Sequence, residues 1–195
     1  MTTLPDIPRL YTALAEVLAV LLYAHRLPPR MNQHVIWGVE AGWAVLLGAF
    51  LQATGEVPLA WWIPCMAMAI LSMLLFLWVT RSITLLEAGY VCAQAFILAE
   101  LAASVEWQLH CVLWPQRGGA EPLSLLLLAV VYGGIFTAML FVENRRPGPA
   151  GKLKITPAGT FVAVVMALTA FAVSNLSFAN GSEANMNMFY IRTLV

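Results

Sequence analysis

Long apolar stretches alternate with short polar breaks along the whole chain, and the stretches are close to the roughly 20 residues that a helix needs to cross a bilayer core. The pattern predicts helical spans at 10–24, 35–53, 57–80, 83–113, 123–142 and 161–178, with a seventh beginning at Met188. The expected fold is therefore all-α: a polytopic transmembrane helix bundle of six complete spans plus the start of a seventh, forming one domain over residues 1–195. The first span lacks the basic start and small-residue cleavage site of a signal peptide and is read as a retained helix.

Composition agrees with this pattern. Hydrophobic residues make up 61% of the 195 positions and charged residues 10%, with a mean hydropathy of +0.81; no soluble domain hides that much apolar surface. Formal net charge is zero. No basic patch with interleaved aromatics points to nucleic acid.

Cation placement predicts orientation, because short cytoplasmic loops are enriched in Lys and Arg. Arg26 and Arg30 fall in the first loop, Arg81 in the third, and Arg145, Arg146, Lys152 and Lys154 in the fifth. The even loops carry only Glu56, Arg117 with Glu121, and Glu183. The expectation is a multi-pass cell-membrane protein with its N-terminus outside. The loop ENRRPGPAGKLK (143–154) is read as a topology determinant, although it could also touch anionic headgroups.

Soluble-enzyme motifs are missing: no phosphate-binding loop, HExxH, paired CxxC or GxSxG elbow. No metal site and no cofactor are expected in this chain. Cys65, Cys92 and Cys111 lie in or beside spans without metal-ligand spacing and are read as structural small residues. Gly38, Gly42, Gly48, Gly133 and Gly134 read as helix-packing glycines. The Trp61 and Trp62 pair and Trp114 read as interfacial aromatics.

The fourth span carries the candidate chemistry, since ionisable groups are expensive in a bilayer and tend to be functional there. From Ser82 to Trp114 it would be about 50 Å long as a helix, well beyond a hydrocarbon core of about 30 Å, so it must tilt, bend or project. Ala88, Cys92, Ala95, Ala99 and Ala102 recur at steps of four and three and end on Glu106, forming a small-residue seam suited to close helix packing. Glu87, Tyr90, Gln94 and Gln108 fall in a second sector, and Glu100 lies near Gly89 and Trp107 on a third. Polar groups pointing in several directions imply a helix enclosed by others.

The candidate ligand or relay residues are Glu100, Glu106, Trp107, Gln108, His110, Gln94 and Arg192. Arg192 would enter the seventh helix at a depth comparable to Glu106 and is a candidate partner for Glu106 or Glu100; the alternative is that each carboxylate is protonated or interfacial, without pairing. Glu16 and Glu40 read as two isolated acids without an intramembrane Lys or Arg, protonated or solvated in a cleft, unless they serve a proton- or ion-coupled pathway.

The string AFILAELAASVEWQL (95–109), with VSNLSF (173–178) and MFYIRTLV (188–195), resembles the membrane-embedded N-terminal sensor region of GHKL-type histidine kinases of Gram-positive bacteria. The resemblance covers most of the chain and is most specific in the fourth span. It implies a signal-input module of a two-component sensor histidine kinase, with a cytoplasmic kinase domain expected beyond residue 195 and a response regulator reached through it. It further implies a homodimer in the lipid bilayer and a peptide or small-molecule signal. The chain departs from the family at Gln94, where Arg is common. His25, His34 and His110 lie in or beside spans, and no nucleotide-binding boxes are present, so this chain itself is expected to have no enzymatic activity. The alternative is a small substrate-binding membrane subunit of a transporter.

Overall fold

Six helices form where the apolar stretches predict them: α1 Arg9–Ala24, α2 Gln33–Ala53, α3 Leu59–Thr80, α4 Leu85–Leu113, α5 Glu121–Arg145 and α6 Pro157–Ala179. They come from a computed structural model, which describes residues 8–55, 57, 59–113, 121–145 and 155–179. The segment from Met188, with Arg192, and Trp114 lie outside the described residues.

Local chemistry sets the helix starts. The Asn32 side chain accepts a hydrogen bond from the His34 amide and caps α2. At α4, Thr84 and Glu87 form a capping box: the Glu87 carboxylate accepts from the Thr84 amide at 2.7 Å, and the Glu87 amide donates to the Thr84 hydroxyl at 3.3 Å. Glu87 is thereby accounted for as a cap, and α4 begins at Leu85 rather than at 83. In α6, Pro157 occupies the first position, where its missing N–H costs nothing, and the Thr156 hydroxyl accepts from the Gly159 amide.

Four helices, α2 to α5, have stretches long and apolar enough to cross a membrane. The described part of α1 has 16 residues, about 24 Å, just below that length. In α6, a 23-residue helix, the apolar portion among the described residues is Pro157–Ala172. The all-helical bundle is thus seen among the described residues, with four clear spanning candidates.

α4 is the centre of the bundle. It packs against α1, α3, α5 and α6, while α2 rests on α1 and α3. Over half of its most apolar window, 56%, is buried, against 17% for α5. The outer helices turn large apolar side chains outward, among them Val45 and Leu46 on α2 and Leu125, Leu126 and Val130 on α5, as expected where hydrocarbon replaces water.

The glycines do not pack as their spacing suggested. A Cβ added at Gly38, Gly42, Gly48, Gly133 or Gly134 would meet no atom within 4 Å; they lie on faces that the described helices leave uncovered. Trp62 also departs from an interfacial role: it is buried, with the Arg9 guanidinium 3.9 Å over its ring, whereas Trp61 is exposed.

One end of the bundle is tied together by its connections. The Arg30 amide donates to the Thr80 carbonyl and the Ser82 amide to the Pro28 carbonyl, at 3.0 and 2.8 Å, joining the α1–α2 and α3–α4 connections through a bridge between Pro29 and Arg81. Arg26 reaches the end of α5, where its guanidinium donates to Asn144 and approaches Glu143 at 4.0 Å. The first and third connections and the C-terminal end of α5 therefore meet.

Candidate functional site among α1, α4 and α5

The heptad-like spacing of small residues on α4 places them all inside. Ala88, Ala95 and Ala102 have no exposed surface, Cys92 and Ala99 almost none, and Glu106 at the end of the series is likewise wholly buried. Short side chains let the neighbouring helices approach closely, and a carboxylate is carried in with them.

Around Glu106 the three helices contribute one polar cluster. His110, one turn on, lies 3.9 Å from a Glu106 oxygen through Nδ1, too far for a hydrogen bond but within ionic reach. The same Nδ1 is 3.2 Å from the Ser124 hydroxyl of α5, which is 3.4 Å from the Tyr11 hydroxyl of α1. The Tyr132 hydroxyl of α5 donates to the Tyr11 carbonyl at 2.9 Å. The Trp107 ring stacks on His110 with centroids 4.9 Å apart.

Glu16 extends the cluster inward from α1. It is 1% exposed and lies within electrostatic reach of Glu100, as Tyr132 does of Glu100 and Glu106. Neither oxygen of Glu16 nor of Glu106 has a hydrogen-bond partner among the described residues. An unsatisfied buried carboxylate is costly, so such groups mark sites that hold a proton or a cation.

The structure thus gathers Glu100, Glu106, Trp107 and His110 near one another, brings in Glu16, which the sequence marked as an isolated intramembrane acid, and adds Tyr11, Ser124 and Tyr132, which the sequence did not single out. Gln94 is separate: its amide donates to the Tyr90 hydroxyl one turn back, at 3.0 Å. Gln108 is half-buried. Among the described residues no group of three or more His, Cys, Asp or Glu side chains could hold a metal ion.

The reading of Glu40 as an isolated acid is overturned. Arg81 donates to Glu40 at 2.6 Å with both side chains nearly buried, and His25 Nε2 lies 3.6 Å from the other Glu40 oxygen. Arg81 follows the last residue of α3 and turns back into the bundle, a contact that charge counting by loop does not reveal.

An apolar cleft of about 150 Å³ lies between α3, α4 and α6, lined by Ile70, Leu74, Cys92, Phe96, Leu168 and Phe171 among others. It is separate from the polar cluster.

The fold and site define an all-helical protein with spans able to cross a membrane and a buried acidic cluster at its central helix. Comparison with family models, curated proteins and solved structures finds no match for the chain.

Proposed function

We propose that the chain is the membrane signal-input module of a two-component sensor histidine kinase, in which a ligand reaching the α1, α4 and α5 cluster repacks α4 and so passes a signal to a cytoplasmic kinase. The observation that carries the reading is Glu106: a fully buried carboxylate at the end of a small-residue seam, on a central helix that packs against four others. A ligand can shift such a helix only by binding its two packings unequally, and a buried charge makes that difference large.

The proposed topology has six spans, the N-terminus outside and the odd connections in the cytoplasm. The meeting of Arg26, Arg30 and Arg81 at one end supports it, because cations favour the cytoplasmic side. In this arrangement Tyr11, His110 and Ser124 lie toward the outer face. The module works as a homodimer in the bilayer and acts on a response regulator through its kinase.

The native gene product, blotted in its source cells with an antibody to the 143–154 loop, tests this reading. A band well above the 21.3 kDa of this chain, with autophosphorylation that Glu106→Gln uncouples from stimulus at unchanged abundance, is the expected result. A band at that mass, or an unaltered response in Glu106→Gln, overturns it. The unpartnered oxygens of Glu16 favour a second reading, a substrate-binding membrane subunit of a transporter, which predicts co-purifying energising ATPases.

A further inference from the structure

One ring nitrogen in the polar cluster stands between two helices. Glu106 is 0% exposed, and neither of its oxygens has a hydrogen-bond partner among the described residues. His110, one turn on, places Nδ1 3.9 Å from one of those oxygens. The same Nδ1 lies 3.2 Å from the Ser124 hydroxyl of α5. The His110 side chain is 23% exposed against 0% for Glu106, so the imidazole is the open side of the pair. It lies at the end of α4 away from Arg81, which precedes that helix. A proton, unlike a metal ion or an organic molecule, needs no cavity here, only the two atoms it would bridge.

We propose that Glu106 and His110 form one proton-binding unit, loaded through the imidazole, in which the arriving proton moves the hydrogen bond of the ring from Ser124 to Glu106. A neutral ring with its proton on Nε2 accepts at Nδ1 from the Ser124 hydroxyl; once protonated it can only donate there. The carboxylate is then the better acceptor, because a charge-assisted hydrogen bond is about twice as strong as a neutral one. Positions i and i+4 of one helix are neighbours, so closing the 3.9 Å gap takes only side-chain rotation. Unloaded, the pair leaves a buried carboxylate uncompensated, which is costly; loaded with one proton from water it is neutral, and the two groups titrate as a pair. Trp107, stacked on the ring at 4.9 Å, also favours the charged imidazole. Ser124 is left with the Tyr11 hydroxyl, 3.4 Å away on α1. Loading therefore exchanges a tie between α4 and α5 for one within α4, a difference between two packings on which a signal can act. Of the other ionisable groups, Tyr11 reaches the ring through Ser124, Tyr132 of α5 lies within electrostatic reach of Glu106, and Glu100 and Glu16 interact with each other elsewhere on α4 and α1. Arg9 of α1 is held over Trp62, Glu121 opens α5 one turn before Ser124, and α3 and α6 carry no acidic or basic residue.

This inference rests on the reading that the cluster receives a signal, and names the proton as what it takes, but its test does not depend on kinase output. The full chain, labelled with 15N-histidine and purified in detergent, is titrated through the range of about pH 5 to 8 in which histidine ordinarily changes charge, and the ring nitrogens are followed by NMR. His25 and His34 serve as references, and His110→Gln identifies the signals of interest. In the wild type the His110 Nδ1 shift should pass from that of a bare acceptor to that of a protonated donor as pH falls. In Glu106→Gln the same step should move about one pH unit toward acid, because a nearby carboxylate favours the charged ring, while Glu121→Gln and Glu40→Gln leave it in place. A His110 ring that keeps one protonation state throughout, which the wild type alone reveals, overturns the proposal. So does a step that Glu106→Gln leaves unmoved, or one that moves in Glu121→Gln instead, which would put the counter-charge at the start of α5. A step coupled to Glu106, with autophosphorylation indifferent to pH, would retain the proton site while rejecting the sensor.

Discussion

Arg81 and Glu40, 41 positions apart, form an ion pair of 2.6 Å in which the arginine side chain is 3% exposed and the glutamate 10%. The pair fastens the end of α3 to α2 at the same place where Arg30 and Ser82 join the first and third connections through the backbone. Breaking a buried pair leaves one charge without its partner, which costs about 3–5 kcal/mol, whereas replacing both charges by apolar groups is often neutral. Arg81→Met and Glu40→Leu should therefore each destabilise the protein by about 3 kcal/mol, and the two together should recover most of that loss. Unfolding by SDS in mixed micelles, followed by tryptophan fluorescence, provides the double-mutant cycle. Additive losses would mean that the two residues act separately.

At the start of α4 the capping box gives a smaller, local effect. Removing the Thr84 side chain takes away the acceptor for the Glu87 amide and the Glu87 contact with the Thr84 hydroxyl. Thr84→Ala should cost about 1 kcal/mol, and Glu87→Gln should cost less, since Gln can still accept from the Thr84 amide. Amide hydrogen exchange should localise the change to the first turn of α4. An equal change in exchange around Glu106 would show that the two ends of the helix are coupled.

Much of the fold was legible because helix length in a bilayer is dictated by apolar periodicity, and six helices lie within a few residues of the expected spans. That other helices pack around α4 was legible too, since polar groups on three sectors, Gln94, Glu100 and Glu106 among them, cannot all face lipid. Which polar groups meet was not legible. Periodicity assigns a residue to a face of its own helix, but the Arg81 contact with Glu40 and the Tyr132 contact with Tyr11 depend on how separate helices are placed and turned. The glycines show the converse limit: close spacing in Gly38 and Gly42 resembles a packing motif, yet packing requires a neighbour on that face, and the described helices provide none.

The two adjacent glycines of α5 make that last point measurable. Gly133 and Gly134 are exposed in a helix interior, and added methyl groups would meet nothing within 4 Å. Glycine in a helix interior costs about 0.5–1 kcal/mol relative to alanine, so Gly133→Ala and Gly134→Ala should each raise stability by about that amount. SDS unfolding of the monomer tests the sign. A loss of stability that scales with protein concentration would instead place a second copy of the chain against this face.

The α4 seam is where packing and signalling make different predictions. Ala95 is 0% and Ala99 2% exposed, and a leucine at either position adds three carbons where neighbouring helices already touch. Overpacking of this kind costs about 1–3 kcal/mol, so Ala95→Leu and Ala99→Leu should be destabilising in SDS unfolding, while Leu101→Ala, on the exposed side of the same helix, should change stability by less. If the seam only holds the bundle together, the Leu variants should lower abundance and leave the surviving molecules with a normal response to stimulus. If the seam is the contact that moves, a wedge beside Ala99 must favour one packing of α4 over the other, and autophosphorylation in the proposed full-length kinase should become fixed at a high or low level regardless of stimulus. The two variants would then act in the same direction as each other and differently from Leu101→Ala. Output normalised to protein abundance distinguishes these cases, because loss of folded molecules scales the response, whereas a shifted packing equilibrium removes its dependence on the signal.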